Sequence, residues 1–235
     1  MIKDKIEIKR YHYDKYEKKI DTSVVEFKLK IFVNNRPVLE RLCLKENLED
    51  MVVGFLVTEG YISTMEDVEK IDFKIEREKE GLCYCIIDKN PNKLTKKSKN
   101  YSTTGKDVIE AMERFTKMSS LFSETGGVHS SAVLINREIV YFADDIGRQN
   151  ALDKAVGYVI RNENKLKEVL ILFSGRITTE VIGKLIPKSI EGIVSKAAVT
   201  KNAVETASEI DMLVIGFARG ERFNLYTGGE RLKDY

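Results

Sequence analysis

The sequence predicts a mixed α/β protein, α+β overall, in which a three-layer α/β/α sandwich on a mixed sheet follows a smaller N-terminal domain. Three observations lead to this fold class. In the second half of the chain a β-hairpin pattern precedes alternating helix and strand patterns, the order expected of a sheet with helices on both faces. A lysine-rich stretch without apolar periodicity separates the two halves. Polar, glycine-containing turns border the predicted strands, as is typical of a ligand-binding sheet edge.

Length and composition are typical of a folded protein, and its net charge is too small to attract nucleic acid or an anionic membrane. The 235 residues are 43% hydrophobic and 32% charged, enough for one large or two small domains. With 39 basic and 37 acidic residues, no global field attracts nucleic acid or a membrane surface. No apolar run approaches the ~18 residues that span a bilayer, and no signal peptide is apparent, so we expect a cytoplasmic protein. The three cysteines, Cys43, Cys83 and Cys85, lack a zinc spacing and indicate free thiols.

Residues 1–100 are predicted to form the smaller domain. The pair Asn34-Asn35 tolerates positive φ and indicates a tight hairpin turn. A helical apolar pattern begins after Asn47, a candidate N-cap with Asp50 three residues later, and Gly60 stands where a C-terminal cap belongs. The predicted strands form two hairpins: residues 23–33 with 36–44, and residues 68–76 with 82–88.

The predicted domain boundary is the lysine-rich stretch at residues 89–100. It carries five lysines, three asparagines and Pro91, and it has no apolar period. These features predict a solvated linker. The alternative is a basic flap over a phosphate ligand.

Residues 101–235 are predicted to form the sandwich. Asp107 and Glu110 resemble a capping box at the start of a helix whose apolar spacing continues to Phe122. Asn136-Arg137 stands at the turn of a hairpin. The predicted elements after the first helix are strands at 131–135 and 139–143, a helix from Asn150, a strand at 169–173, a helix that Pro187 ends, a strand at 193–196, a helix near 202–210 and a strand at 212–217.

Four polar turns at the strand ends supply the candidate binding residues. In an α/β fold the backbone N–H groups of such turns converge on one anionic ligand, and arginine suits phosphate. The sequence therefore predicts a nucleotide site. Its residues are Thr125, Gly126, Gly127 and His129; Asp145, Gly147, Arg148 and Asn150; Ser174, Gly175 and Arg176; and Phe217, Ala218, Arg219, Gly220, Glu221 and Arg222.

These candidates have structural alternatives. Asp144, Asp145 and Arg148 form either a ligand clamp or a helix start with acids near the positive end of the helix dipole. His129, one of two histidines, is either structural or brought close to a ligand by the preceding glycines. Asn150 with Asp153 is more typical of capping than of chemistry.

Several standard signatures are missing. Gly105-Lys106 lacks the upstream glycine and the following Ser or Thr of a Walker A loop, and no G-x-G-x-x-G follows a strand. Ser174 lacks a nucleophile elbow, which favours a phosphate contact over a serine hydrolase. The element order fits the deaminase architecture, but its H-x-E and P-C-x-x-C zinc ligands are absent, which excludes a zinc deaminase. Cys83 and Cys85 share one face of a strand and are predicted to be buried thiols.

Five blocks of the sequence form a recognisable series. They are residues 54–60 (Gly-Phe-Leu-Val-Thr-Glu-Gly), 125–129 (Thr-Gly-Gly-Val-His), 145–154 (Asp-Ile-Gly-Arg-Gln-Asn-Ala-Leu-Asp-Lys), 174–176 (Ser-Gly-Arg) and 216–219 (Gly-Phe-Ala-Arg). The series resembles the FdhD/NarQ family of formate dehydrogenase accessory proteins. The resemblance covers most of the chain, and the long Gly-Arg-x-Asn-Ala-Leu-Asp-Lys pattern makes it specific.

The resemblance implies a zinc-free, deaminase-like domain joined to a smaller N-terminal domain, usually in a homodimer. Family members accept sulfur from a cysteine desulfurase as a persulfide. They bind the bis(molybdopterin guanine dinucleotide) cofactor and sulfurate it for a molybdenum or tungsten formate dehydrogenase. The family's cofactor-binding loop falls on residues 217–222, and the other three turns match further lining segments. A guanine nucleotide such as GDP is the simpler expected ligand, and neither nucleic acid nor a membrane is an expected partner.

Two positions depart from the family pattern. Members typically carry a Cys-x-x-Cys pair before the Thr-Gly-Gly block, and one of those thiols holds the persulfide. Here residues 101–106 read Tyr-Ser-Thr-Thr-Gly-Lys. A hydroxyl cannot replace the thiol, because persulfide transfer needs a polarizable thiolate. The family's histidine in Gly-Arg-His-Asn is Gln149 here, which removes a group that titrates near neutral pH.

Three hypotheses about function follow. The first is a formate dehydrogenase accessory factor whose sulfur transfer is lost or runs through another thiol. The second is a chaperone that holds the cofactor without sulfur chemistry. The third is a metal-dependent phosphate-ester enzyme that uses Asp144 and Asp145. The missing cysteine pair favours the second mechanism, and only the acidic pair supports the third.

Overall fold

A computed structural model describes residues 1–88, 102–163, 165–185 and 189–235 of the chain. Within these ranges the strands form sheets of two, four and six strands. No helix within them has both the length and the apolar character needed to cross a membrane. The two-stranded sheet is an N-terminal hairpin of β1 (Lys3–His12) and β2 (Lys15–Val24).

The four-stranded sheet and one helix complete the N-terminal part. Its elements are β3 (Phe27–Val33), β4 (Arg36–Cys43), α1 (Leu48–Thr58), β5 (Val68–Arg77) and β6 (Glu80–Ile87). Asn34 and Asn35 turn the first hairpin with φ angles of 47° and 64°, as their tolerance of positive φ predicts. β3 pairs in parallel with β6, which gives the order β4-β3-β6-β5. α1 packs on this sheet through Met51, Phe55 and Leu56.

The six-stranded sheet carries the second part. Its elements are α2 (Gly105–Met118), α3 (Ser120–Thr125), β7 (His129–Ile135), β8 (Glu138–Asp145), α4 (Arg148–Arg161), β9 (Val169–Phe173), α5 (Thr179–Lys184), β10 (Ile190–Ser195), α6 (Lys201–Glu209), β11 (Leu213–Arg219) and β12 (Arg222–Thr227). The strand order is β12-β11-β10-β9-β7-β8.

Helices cover both faces of this sheet. Met112 and Phe115 of α2 pack with Leu172 on one face. On the other face, residues of α4, α5 and α6 surround Ile171, and Leu152 of α4 is among them. β9 is therefore buried on both sides, which explains its continuous apolar sequence. The predicted three-layer α/β/α fold is confirmed.

The strand directions bring several chain segments to one edge. β9, β10 and β11 run in parallel, whereas β7 runs antiparallel to β9 and pairs with β8. The start of β7 therefore lies beside the ends of β8, β9, β10 and β11. We call this side of the sheet the carboxyl edge.

The N-terminal part and the sandwich meet through a close crossing of α1 and α4. A β-carbon built at Gly54 would lie 1.9 Å from the carbonyl oxygen of Asp153, and one built at Gly157 would lie 1.8 Å from that of Asp50. Each glycine therefore lets one helix backbone touch the other. Ile160 of α4 also packs within the core of the N-terminal part.

One predicted helix cap is right in position but lacks a side-chain bond, and one predicted capping box is wrong. α1 begins after Asn47 as expected, but this residue has φ 51° and its side chain makes no capping hydrogen bond. The capping box of α2 consists of Thr104 and Asp107, not Asp107 and Glu110. The predicted single helix up to Phe122 is two helices, because the Ser119 side chain caps α3.

Asn150 is not a helix cap either. α4 begins at Arg148, two residues earlier than predicted. The Nδ2 of Asn150 donates to the carbonyl oxygen of Leu42 at 2.8 Å and to Oδ1 of Asp145 at 2.8 Å. This amide therefore ties the start of α4 to β4.

Two strand features differ from the prediction, and two predictions lie outside the described ranges. The strand predicted at 23–33 is two strands, with β2 ending at Val24 and β3 beginning at Phe27. Residues 217–222, predicted as a loop, form the end of β11, a turn and the start of β12. The linker at 89–100 and the helix end at Pro187 are not among the described residues.

Candidate functional site

The centre of the carboxyl edge is a hydrogen-bonded pair, His129 and Ser174. His129 begins β7, and Ser174 follows β9 on the neighbouring strand. The Nδ1 of His129 lies 3.2 Å from Oγ of Ser174. The backbone N–H of Ser130 donates to the same hydroxyl at 2.9 Å, so the Ser174 side chain is held in a fixed position.

Two cationic side chains lie close to this pair. A β-carbon built at Gly175 would lie 3.4 Å from Cβ of Arg148, so the first residue of α4 lies against the turn after β9. Lys196 directly follows β10. Burial, together with the charges of Arg148 and Lys196, lowers the pKa of His129. Three segments of the carboxyl edge thus concentrate positive charge around a half-buried imidazole.

Arg148 has unused hydrogen-bonding capacity. Its Nε is buried and has no hydrogen-bond partner among the described residues, and the same holds for both amide atoms of Gln149. A buried N–H without a partner is costly, and such groups in native proteins call for an explanation. An anionic ligand that accepts from Arg148 would supply one.

Lys196 is a residue that the sequence reasoning missed. It directly follows β10, as Ser174 follows β9, but its turn contains no glycine. Its Nζ lies 4.9 Å from the centre of the Phe122 ring, which holds the ammonium over α3. Its position directly after a strand was the sequence feature that could have identified Lys196 as a candidate.

The β11–β12 hairpin borders the same edge. Phe217 has φ 51°, a strained conformation for an aromatic residue. Its backbone N–H donates to the carbonyl oxygen of Ala197 at 3.0 Å, which places it beside the segment after β10. The guanidinium of Arg219 lies 5.8 Å from the Phe217 ring centre. Ala218 is buried in the core, whereas Arg219, Gly220, Glu221 and Arg222 are exposed.

The Thr125-Gly126-Gly127 turn lies at the end of α3, shortly before His129. Thr125 Oγ1 donates to the carbonyl oxygen of Leu121 at 2.7 Å and accepts from the N–H of Gly127 at 3.1 Å. Gly126 ends the helix with φ 62°, a conformation that favours glycine. Arg176, after Ser174-Gly175, is exposed. Both segments therefore flank the central pair.

Asp145 lies behind the edge and not on its surface. It is fully buried and pairs with Lys154 Nζ at 2.7 Å. Its carboxylate also accepts from the N–H groups of Leu44 at 3.0 Å and Gly147 at 3.1 Å. Asp145 thus fixes the turn that presents Arg148, and for Asp145 this geometry matches the helix-start alternative.

Asp144 is also engaged by protein donors. Its carboxylate accepts from Oγ of Ser119 at 2.7 Å and from Oγ of Ser130 at 2.6 Å. With Asp145 paired to Lys154, the two acids hold secondary structure together. Their arrangement does not favour the metal-dependent phosphate-ester hypothesis.

A second buried carboxylate supports α4. Asp153 is fully buried and pairs with Arg41 of β4 at 2.8 Å and with Lys184 of α5 at 2.9 Å. Burial raises the pKa of Asp153, and the charges of Lys184 and Arg41 oppose that rise. Arg41 also donates to Oδ1 of Asn150 at 3.2 Å. The network fixes α4 against β4 and α5.

The three cysteines lie away from the carboxyl edge, in the core of the N-terminal part, and all are buried. Burial raises the pKa of Cys43 to about 12. The sulfur atoms of Cys83 and Cys85 lie 3.8 Å apart, and the Cys85 thiol and burial raise the pKa of Cys83. The prediction of buried thiols is confirmed.

Comparisons with known proteins agree with this architecture. The model of the FdhD/NarQ family matches residues 24–105 and 81–233. The sulfur carrier protein FdhD of Listeria innocua is 31% identical over 252 residues, which cover 96% of this chain and 97% of that protein. The protein of the same name from Bacillus subtilis is 31% identical over 255 residues, which cover 96% of this chain and 95% of that protein.

A solved structure has the same fold. The crystal structure of a formate dehydrogenase accessory protein from Desulfotalea psychrophila matches with a TM-score of 0.86 and 20% identity, over 99% of this chain and 100% of that one. The sequence and fold matches span nearly the whole chain and include the turns of the carboxyl edge. The chain therefore belongs to the FdhD/NarQ family.

Proposed function

We propose that the chain is an accessory protein of a molybdenum or tungsten formate dehydrogenase and that its carboxyl edge binds the molybdopterin guanine dinucleotide cofactor. The names of its relatives support the accessory role. The observation that carries the binding proposal is the pair of cationic side chains, Arg148 and Lys196, beside the His129 imidazole, together with a buried Arg148 Nε that lacks a partner among the described residues. The family's homodimer and cytoplasmic location belong to the same proposal.

The residues at this edge fit a ligand with phosphate groups. Arg148 and Lys196 would hold the phosphates, because charge-assisted hydrogen bonds to phosphate are among the strongest that proteins make. The fixed Ser174 hydroxyl adds a neutral contact. Arg219 and the Phe217 ring border the edge and would contact the nucleotide part. When bound, the cofactor would supply the metal centre that the family sulfurates.

We further propose that the chain holds the cofactor without carrying sulfur on a cysteine. Ser102, Thr103 and Thr104 lead into α2 where the family has its cysteine pair. The chain's three cysteines are buried, whereas a persulfide carrier needs an accessible thiolate. A cysteine desulfurase would be a partner only in the alternative, a relay through Cys83 and Cys85, whose sulfur atoms lie 3.8 Å apart.

The binding proposal predicts a specific loss in the variant Arg148→Ala. One charge-assisted contact contributes about 1.5–3 kcal/mol, so the affinity for GDP should fall roughly ten- to a hundredfold. Isothermal titration calorimetry measures this directly. Arg77→Ala is the matched control, because Arg77 ends β5 and is 81% exposed. A parent that does not bind GDP at millimolar concentration, or unaltered binding in both Arg148→Ala and Arg219→Ala, would contradict the proposal.

The absence of a sulfur relay is tested by intact-mass measurement after incubation with a cysteine desulfurase and cysteine. We expect no stable added sulfur on residues 101–126, because they contain no thiol. Cys43→Ser, Cys83→Ser and Cys85→Ser should each retain the maturation activity of the parent. If Cys83→Ser or Cys85→Ser alone abolished both sulfur loading and support of formate dehydrogenase, the relay through that pair would be correct.

A further inference from the structure

The β1–β2 hairpin projects from the body of the protein. Every residue from 9 to 20 is exposed. The hairpin is anchored at its base, where Ile2 and Val24 pack in a small core with Leu121 and Val128. Lys3 pairs with Glu124 of α3. We call residues 3–24 the arm.

The arm displays apolar surface that nothing in the described chain covers. The exposed fractions are 57% for Tyr11, 85% for Tyr13, 73% for Tyr16 and 65% for Ile20. Tyr11 and Tyr16 are cross-strand partners with ring centres 5.2 Å apart. A lone two-stranded hairpin is marginally stable in water, and tyrosine is enriched at protein interfaces. These properties indicate a surface that becomes buried in a complex.

The net positive charge of the arm favours a partner with an acidic surface. Residues 9–19 carry five basic and two acidic side chains, whereas the whole chain is nearly neutral. Lys9 and Lys18 are direct cross-strand partners on the face that carries Tyr11 and Tyr16. Like charges in that position destabilise a hairpin, and an anionic partner group between them would relieve the repulsion.

The arrangement favours the carboxylates of a protein over a polyphosphate. Glu7 lies 3.2 Å from Lys18 on the same face, and Tyr11 donates to Asp14 at 2.6 Å. These acids would oppose the continuous phosphates of a nucleic acid, but they are compatible with separate carboxylates set among apolar groups. We propose that the arm docks onto an acidic, partly apolar surface of a protein partner.

The root of the arm lies beside the candidate site. A β-carbon built at Gly127 would lie 3.2 Å from Cγ2 of Val24, and Gly127 precedes His129 by two residues. A partner held by the arm would therefore face the carboxyl edge. Delivery of the bound ligand to that partner is a consequence that rests on the proposed function, whereas docking itself does not.

The test is the double variant Lys9→Glu/Lys18→Glu. It reverses both charges of the cross-strand pair, and it also removes the ion pair between Lys18 and Glu7. The matched control, Lys70→Glu/Lys74→Glu, makes the same charge change on β5, where both lysines are exposed. The probes are a labelled glutamate-rich peptide containing leucine, a single-stranded DNA of equal charge and vesicles containing phosphatidylserine.

We expect the parent and the control to bind the peptide with an affinity that falls with salt, and the arm variant to bind roughly tenfold more weakly or worse. Equal peptide binding in the arm variant, or a parent that prefers DNA or vesicles, would overturn the proposal. So would dissociation of a parent dimer in the arm variant, because the occupant would then be a second copy of this chain. GDP binding should be unaltered in the arm variant, so failure of the nucleotide site is distinguished from failure of the arm.

Discussion

Replacing Gly157 by alanine should destabilise the protein by about 3 kcal/mol. The added β-carbon would lie 1.8 Å from the carbonyl oxygen of Asp50 and 2.8 Å from the backbone nitrogen of Gly54. Because these atoms belong to helix backbone, no side-chain rotation can relieve the contact. α1 and α4 would have to separate, and the core that they share would open. Urea denaturation should show a lower midpoint.

Gly183→Ala is the matched control. Gly183 also lies in a helix, α5, but a β-carbon built there meets no atom within 4 Å. Alanine is the better helix former by up to about 1 kcal/mol, so this variant should be as stable as the parent or more stable. Similar stability losses in Gly157→Ala and Gly183→Ala would mean that the backbone contact between α1 and α4 is not what Gly157 provides.

Replacing Lys154 by methionine should cost about 3–5 kcal/mol, because it leaves the Asp145 carboxylate buried without its cation. Both side chains are fully buried, with Nζ 2.7 Å from Oδ2. Lys154 also donates to the carbonyl oxygen of Asp144 at 2.9 Å, so the turn before α4 loses a second contact. The free energy of unfolding from urea titration measures the loss.

Two variants separate this effect from loss of positive charge alone. Lys201→Met removes an exposed lysine paired with Glu205 and should change stability little. The double variant Asp145→Asn/Lys154→Met removes both buried charges and should recover part of the loss. A stability for Lys154→Met close to that of Lys201→Met would refute the interpretation of the pair as a buried support of the α4 turn.

Local sequence patterns were sufficient to predict the α/β/α sandwich and several turns. β9 has a continuous apolar sequence because both of its faces are buried. The Asn34-Asn35 turn has the positive φ angles that asparagine tolerates, and a hairpin turn is also present at Asn136-Arg137, as predicted. The capping box failed for a physical reason. Thr104, Asp107 and Glu110 follow one another at three-residue steps. The spacing of a capping box therefore fits both Thr104 with Asp107 and Asp107 with Glu110, and only the hydrogen bonds show which pair caps the helix.

Other features depend on contacts between residues far apart in sequence. Asp145 accepts from Leu44, and Asp153 pairs with Arg41 across more than a hundred residues. No local pattern distinguishes these buried acids from surface acids. The arm was missed because most of its residues are exposed on both faces, so no buried apolar face marks its strands. Lys196 was missed because its turn lacks the glycine that marked the other candidates.

We expect the backbone contact between α1 and α4 to couple the folding of the two parts of the chain. A fragment that ended before the sandwich would expose the glycine-containing face of α1 and leave Arg41 without the Asp153 carboxylate. The sandwich alone would lose the Leu44 N–H that helps to hold Asp145, and with it the order of the turn that presents Arg148. The proposed ligand binding at the carboxyl edge should therefore depend on the integrity of the N-terminal part, although Arg148 and Lys196 both lie in the sandwich.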